Sequence, residues 1–166
     1  CFLCFLLLLS GFCSALFCSA QNARYNVLID VFLADPSPSI GLPSSSFIEL
    51  KNVSGKTVNL HNWKISNGNA TASIKKDYQL AADSFLVLCP AAAEDAYHAF
   101  GPALGITGFP SLNHETGEII LMAEDGNVIH AFQYDKNWFH NELKAAGGWS
   151  LEMIDLKNPC SGISNW

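Results

Sequence analysis

The chain has 166 residues, a net charge of −6, and 49% hydrophobic but only 14% charged residues. That length suits one domain with a sizeable core. The nine basic residues are scattered, with Lys75-Lys76 the one adjacent pair, which argues against the basic stripe that phosphate backbones select.

The apolar fraction is inflated by the first segment. Residues 1–20 carry no charge and include Phe5-Leu6-Leu7-Leu8-Leu9 and Ala15-Leu16-Phe17. The run closes on Cys18-Ser19-Ala20, small residues where a signal peptidase cleaves, and the polar Gln21-Asn22 follows. A signal peptide whose true start is missing is the expectation, with an uncleaved N-terminal anchor as the alternative. Residues 21–166 then form one domain. Cys13 is misplaced for lipidation, and the Cys1-Phe2-Leu3-Cys4 spacing is accidental inside an apolar leader.

Tyr25 to Leu33 reads as a first strand, ending at the proline-rich Asp35-Pro36-Ser37-Pro38. Phe47 to Val53 alternates with period two and predicts a second strand. Ser54-Gly55 turns the chain, and Val58 to Leu60 with Trp63 to Ser66 gives a third strand region. Asn67-Gly68-Asn69 turns again, and Tyr78-Gln79-Leu80 is short. Phe85 to Cys89 is apolar on both faces, as in a central strand. Pro90, an alanine run with early acids, and Gly101 predict one short helix over 91–100, with 101–110 as loop. Glu118 to Ala123 and Asn127 to Tyr134 flank Asp125-Gly126, a strong hairpin signal. Trp149 to Met153 is the last strand. Roughly seven to nine short strands with one helix indicate an all-β, two-sheet sandwich. The expected core comprises Ile48, Leu50, Leu60, Trp63, Ile65, Val87, Leu121, Trp149 and Leu151.

No catalytic, metal or cofactor site emerges. The five histidines are not spaced to share a helix face, and a zinc site needs three or four convergent ligands. The nearest cluster, His114-Glu115 with Glu118, reads as a solvated turn. Asp35 with Ser37, and Glu124 with Asp125, supply too few oxygens for calcium, and Asp125 suits a turn. No Gly-x-Ser-x-Gly elbow is present. Glu49 reads as a solvated or cross-strand-paired carboxylate rather than a buried acid. The sequons at Asn52 and Asn69 mark surface turns. Outside the leader only Cys89 and Cys160 remain. Export makes one disulfide between them the expectation, two buried thiols the alternative. Trp138-Phe139 lies in a loop-like stretch and either closes the core or, if exposed, offers a carbohydrate or protein contact.

The order Phe47-Ile48-Glu49-Leu50-Lys51-Asn52, Leu60, Trp63, Leu80, Leu112-Asn113, Gly117-Glu118-Ile119-Ile120-Leu121, Gly126 and Tyr134 resembles the lamin tail domain. The flanking Asp35-Pro36-Ser37-Pro38 and Gly148-Trp149-Ser150-Leu151-Glu152 are similar to its bacterial secreted members. Asn62 departs from the family pattern, in which glycine is common before Trp63. The resemblance implies an immunoglobulin-like β-sandwich and a non-enzymatic interaction or accessory module of exported proteins. The expected setting is secreted, periplasmic or cell-surface. The expected partner is a protein or an envelope polymer, with membrane contact only through the leader if uncleaved. The alternative is an accessory domain of an extracellular enzyme that degrades carbohydrate or nucleic acid. Acidity and export oppose direct nucleic-acid binding.

Overall fold

A computed structural model describes residues 24–166. The expected leader, its cleavage point and its cysteines lie outside the described residues. The described residues form eleven strands: β1 (Val27–Leu33), β2 (Phe47–Asn52), β3 (Val58–Asn59), β4 (Lys64–Ser66), β5 (Thr71–Ser73), β6 (Gln79–Leu80), β7 (Phe85–Pro90), β8 (Ala103–Ile106), β9 (Thr116–Met122), β10 (Val128–Asp135) and β11 (Leu151–Glu152). They form a five-stranded sheet in the order β11-β1-β2-β7-β8 and a four-stranded sheet in the order β10-β9-β4-β5, with β3-β6 as a small ribbon. Two sheets face each other over one main core, the immunoglobulin-like sandwich.

Alternation explains the layering. In β2, Ile48 and Leu50 are fully buried on the inner face, and in β9 Ile119 and Leu121 are. Leu60, Trp63, Ile65 and Leu151 join the same core. Fully burying such a side chain stabilises by about 1.5–3 kcal/mol, before the entropy of ordering it. Val87 is also buried, but on the outer face of its sheet. There it packs with Leu33, Phe47, Cys89, Tyr97 and Ala103 in a second, smaller cluster. Helix α1 (Glu94–Tyr97) covers that cluster, with a 3-10 turn at Ala91–Ala93 leading into it. The helix occupies the expected place and is shorter than expected.

Several expectations need correction. Residues 103–106, expected as loop, form β8, which runs parallel to β7. This short edge strand lies between glycine and proline signals that read as loop, and its pairing with β7 is long-range. Trp149 is not in the core: it is 41% exposed, with the Lys144 ammonium over its ring. Strand β11 begins only at Leu151 because Gly147 and Gly148 turn with positive φ against the backbone carbonyls of Ser37 and Pro38. A second one-turn helix, α2 (Glu142–Ala145), was not anticipated. Its first turn is capped by Asn141, whose side chain accepts from the amides of Leu143 and Lys144.

Candidate functional site

The outer face of the four-stranded sheet is partly open to solvent. On β9 the outward positions are Thr116, Glu118, Ile120 and Met122, between inward Ile119 and Leu121. Register brings Gln133 opposite Glu118 and Asp135 opposite Thr116. At one end of this face a groove of about 590 Å³ is lined by these four residues, by Asn67 and Asn69, and by Tyr134 and Trp138 at its rim.

Both walls are fixed by local hydrogen bonds. The Asn67 Oδ1 accepts from the amides of Asn69 at 3.0 Å and Ala70 at 2.7 Å, and its Nδ2 donates to the Ser111 carbonyl at 2.8 Å. Ser66 Oγ donates to Ala70 O and accepts from the Gly68 amide. Gly68 has φ of +84°, and a Cβ there would stand 1.9 Å from Glu118 Oε1. The positive φ favours glycine there, and the Glu118 carboxylate lies against it. On the other wall, Asp135 Oδ1 accepts from the Asn137 amide at 2.8 Å and caps the 3-10 turn Lys136–Phe139. That cap sets Trp138, whose indole stacks on Phe132 with centroids 6.3 Å apart and lies 6.0 Å from Trp166. Trp138 and Phe139 are both half-buried and pack on the core cluster. Trp138 alone of the pair also borders the groove.

The groove's polarity is distinctive. Its lining holds two carboxylates, three carboxamides and two hydroxyls, and no lysine or arginine. Asn69 and Gln133 are exposed, and their side-chain carboxamides bond to no other described residue. A Cβ at Gly117 would meet Tyr134 Oη at 2.6 Å, so the glycine lets the Tyr134 side chain pack across it. The Tyr134 hydroxyl instead donates to the Asn113 carbonyl at 2.6 Å.

The other expected chemistry is dispersed. His114 Nε2 lies 3.4 Å from Glu115, which also pairs with Lys136. Asp35 Oδ1 accepts from the Ser37 amide, and Asp125 Oδ1 from the Asn127 amide, so both acids close turns. Among the described residues no three His, Cys, Asp or Glu side chains converge on a metal-sized site. Cys89 and Cys160 are free thiols, not a disulfide. Cys89 lies buried under α1, and its thiol is pushed up to about 11 by burial and by Glu94. Cys160 is exposed, with its Sγ 2.8 Å from the Tyr25 hydroxyl. One is buried in the smaller cluster and the other lies at the surface, which sequence spacing could not reveal.

Four residues carry more structure than the sequence suggested. Asn52, expected at a surface turn, is fully buried. Its Nδ2 donates to the carbonyls of Lys56, Leu80 and Ala81, and its Oδ1 accepts from the amide and hydroxyl of Ser54. Asp30 stands at a β-bulge in β1, where the pairing with β2 shifts between Ile29 and Val31. Its Oδ1 is buried with no hydrogen-bond partner. Burial, then the charge of Glu49, raises its carboxyl to about 7, while Lys51 opposes the shift. Glu49, expected to be solvated or paired, is half-buried instead. Its carboxyl is raised by burial and by Glu152 across β1. His130 is fully buried and held to about 4 by burial. The strand pattern marks such positions as inward or outward but not as partnered or orphaned.

The Lamin Tail Domain profile matches residues 20–136. The chain belongs to the lamin tail domain family. No curated protein matches it. A lamin tail domain is an immunoglobulin-like fold without catalysis of its own, in keeping with the dispersed titratable groups. Asn62, before Trp63, has φ of +57°. Asparagine is among the few non-glycine residues that adopt this left-handed conformation readily. Beyond the matched span the lamin tail sandwich is completed by β11, which pairs with β1, and by Trp166, which packs against Phe32 and Phe132.

Proposed function

We propose that this chain is an exported, non-enzymatic interaction module of a secreted or cell-envelope protein, acting through the outer face of its four-stranded sheet. The observation that carries the reading is the built groove on that face, in a fold whose family is non-catalytic. The uncharged apolar segment 1–20, ending in small residues, supports export. Antiparallel sheets with one packed and one wet face present side chains in fixed register, which suits recognition. The four-stranded sheet does this with a groove whose walls are held by Asn67 and Asp135.

Expression of the complete reading frame with a C-terminal tag, followed by fractionation and mass determination of the N-terminus, tests the export half. The expected product is extracytoplasmic and begins near Gln21. A full-length product confined to the cytoplasm would contradict it.

A second reading has one specific motivation. Trp138 at the rim of a groove bearing two carboxylates also suits an accessory domain of an enzyme that degrades an extracellular polymer. In that case a catalytic domain adjoins this one in the reading frame, and deleting the module lowers turnover on insoluble polymer while leaving soluble substrate unaffected.

A further inference from the structure

We propose that the groove between the Asn67–Asn69 turn and Trp138 binds a segment of a neutral polysaccharide. The proposal rests on the module reading and names its ligand class. Sugars present an apolar ring face of C–H groups and a rim of hydroxyls that both donate and accept. A matching site needs an aromatic plate beside mixed donors and acceptors. Trp138 supplies the plate, held from behind by Phe132 and Trp166. Asn69 and Gln133 supply carboxamides, and Glu118 and Thr116 supply acceptors and a hydroxyl along the same face. The walls are already hydrogen-bonded in place, so little ordering is required on binding.

Charge selects among polymers. With Glu118 and Asp135 in the lining and no cation there, phosphates, sulfates and uronates are repelled. The groove also lies open along the sheet face rather than forming a closed pit, so a chain can cross it. Edge strand β10 contributes Gln133, Tyr134 and Asp135 to the lining, so a strand-adding peptide is the competing occupant, and retardation by neutral glycan distinguishes the two.

Affinity gel electrophoresis of the full chain tests the proposal, with soluble β-glucan, mannan, xylan or arabinogalactan in the gel and polygalacturonate as the charged comparison. Retardation is expected in at least one neutral gel and not in polygalacturonate. Trp138→Ala should weaken it by roughly tenfold or more, as truncation of an aromatic anchor does. Gln133→Ala, at an exposed position without a described partner, should weaken it by about threefold without affecting folding. Trp149→Ala, exposed but outside the groove, should leave it unchanged. No retardation in any neutral gel would overturn the proposal. So would retardation in polygalacturonate alone, or retardation untouched by both groove variants. If Trp138→Ala does not fold, Gln133→Ala decides. Export is read separately by fractionation: an exported chain that binds no neutral glycan loses this ligand class but keeps the module reading.

Discussion

The backbone amide of Ile29 donates to Nδ1 of His130 across 3.0 Å, so a side chain from the four-stranded sheet satisfies a main-chain donor of the five-stranded one. That bond fixes the neutral tautomer with its proton on Nε2. Nε2 faces the Pro159 carbonyl, which favours the protonated form, but finds no partner within hydrogen-bond reach among the described residues. Burial prevails and holds the imidazole at about 4, against an ordinary 6.5. On acidification the unfolded chain binds a proton before the folded one does, so stability is lost as pH falls from about 6.5 to about 4, by about 3 kcal/mol in all. NMR titration of the His130 ring should show no protonation above pH 5. A midpoint near 6.5 would refute this.

Asp30 works with the opposite sign. Its folded carboxyl is raised to about 7 from an ordinary 3.8 by burial and by Glu49. As pH rises the unfolded chain ionises first, so stability is lost between about pH 4 and pH 7. Over the shared window the Asp30 and His130 contributions oppose each other. Asp30→Asn should therefore raise the urea midpoint at pH 8 and leave it unchanged at pH 3. It should also expose a steeper loss on acidification than the wild type shows. An unchanged midpoint at pH 8 would mean the carboxyl is ionised and solvated in the fold.

Asn52 is the densest polar junction in the described structure, joining the end of β2 to the Ser54 turn and to the segment after β6. Asn52→Asp keeps the shape but replaces a donor to three carbonyls with a second acceptor. The expected cost is about 3 kcal/mol or more at neutral pH, with partial recovery when the carboxyl is protonated. Chemical denaturation measures it. A loss below about 1 kcal/mol would show that water or backbone relaxation replaces those bonds.

The two thiols should behave differently. Native alkylation followed by peptide mapping should label Cys160 promptly and Cys89 only after unfolding, because Cys89 is buried with its thiol pushed up to about 11. A Cys89–Cys160 disulfide peptide from unreduced protein would contradict the structure.

The strand pattern made most of the sandwich legible, and physical reasons mark where it stopped. Leu50 and Ile65 alternate with polar neighbours, so their inward positions follow from a period of two, whereas Leu121 sits in the apolar run Ile119 to Ala123. Trp149 alternates as well, yet it is exposed, because the preceding glycine pair turns the chain before pairing begins at Leu151. Strand β8 went unread because parallel pairing with β7 is a long-range event without a turn signature. The family resemblance identified the fold but not the groove. The groove depends on the cross-strand pair Gln133 and Glu118, on the Asn67 turn folding over them, and on a capped turn that places Trp138. Of these, the Asn67-Gly68-Asn69 turn and the aromatic at 138 stood out in the sequence, and the fold brings them together by register.

The central claim is that this chain acts by binding through the open face of its four-stranded sheet. Site-specific photocrosslinking in the cells that produce it tests this most directly, with a benzophenone amino acid placed at Gln133 in one variant and at exposed Lys157 in another. The account predicts discrete adducts from position 133 and none from position 157. An absence of adducts at 133, or equal adducts from both positions, would contradict it.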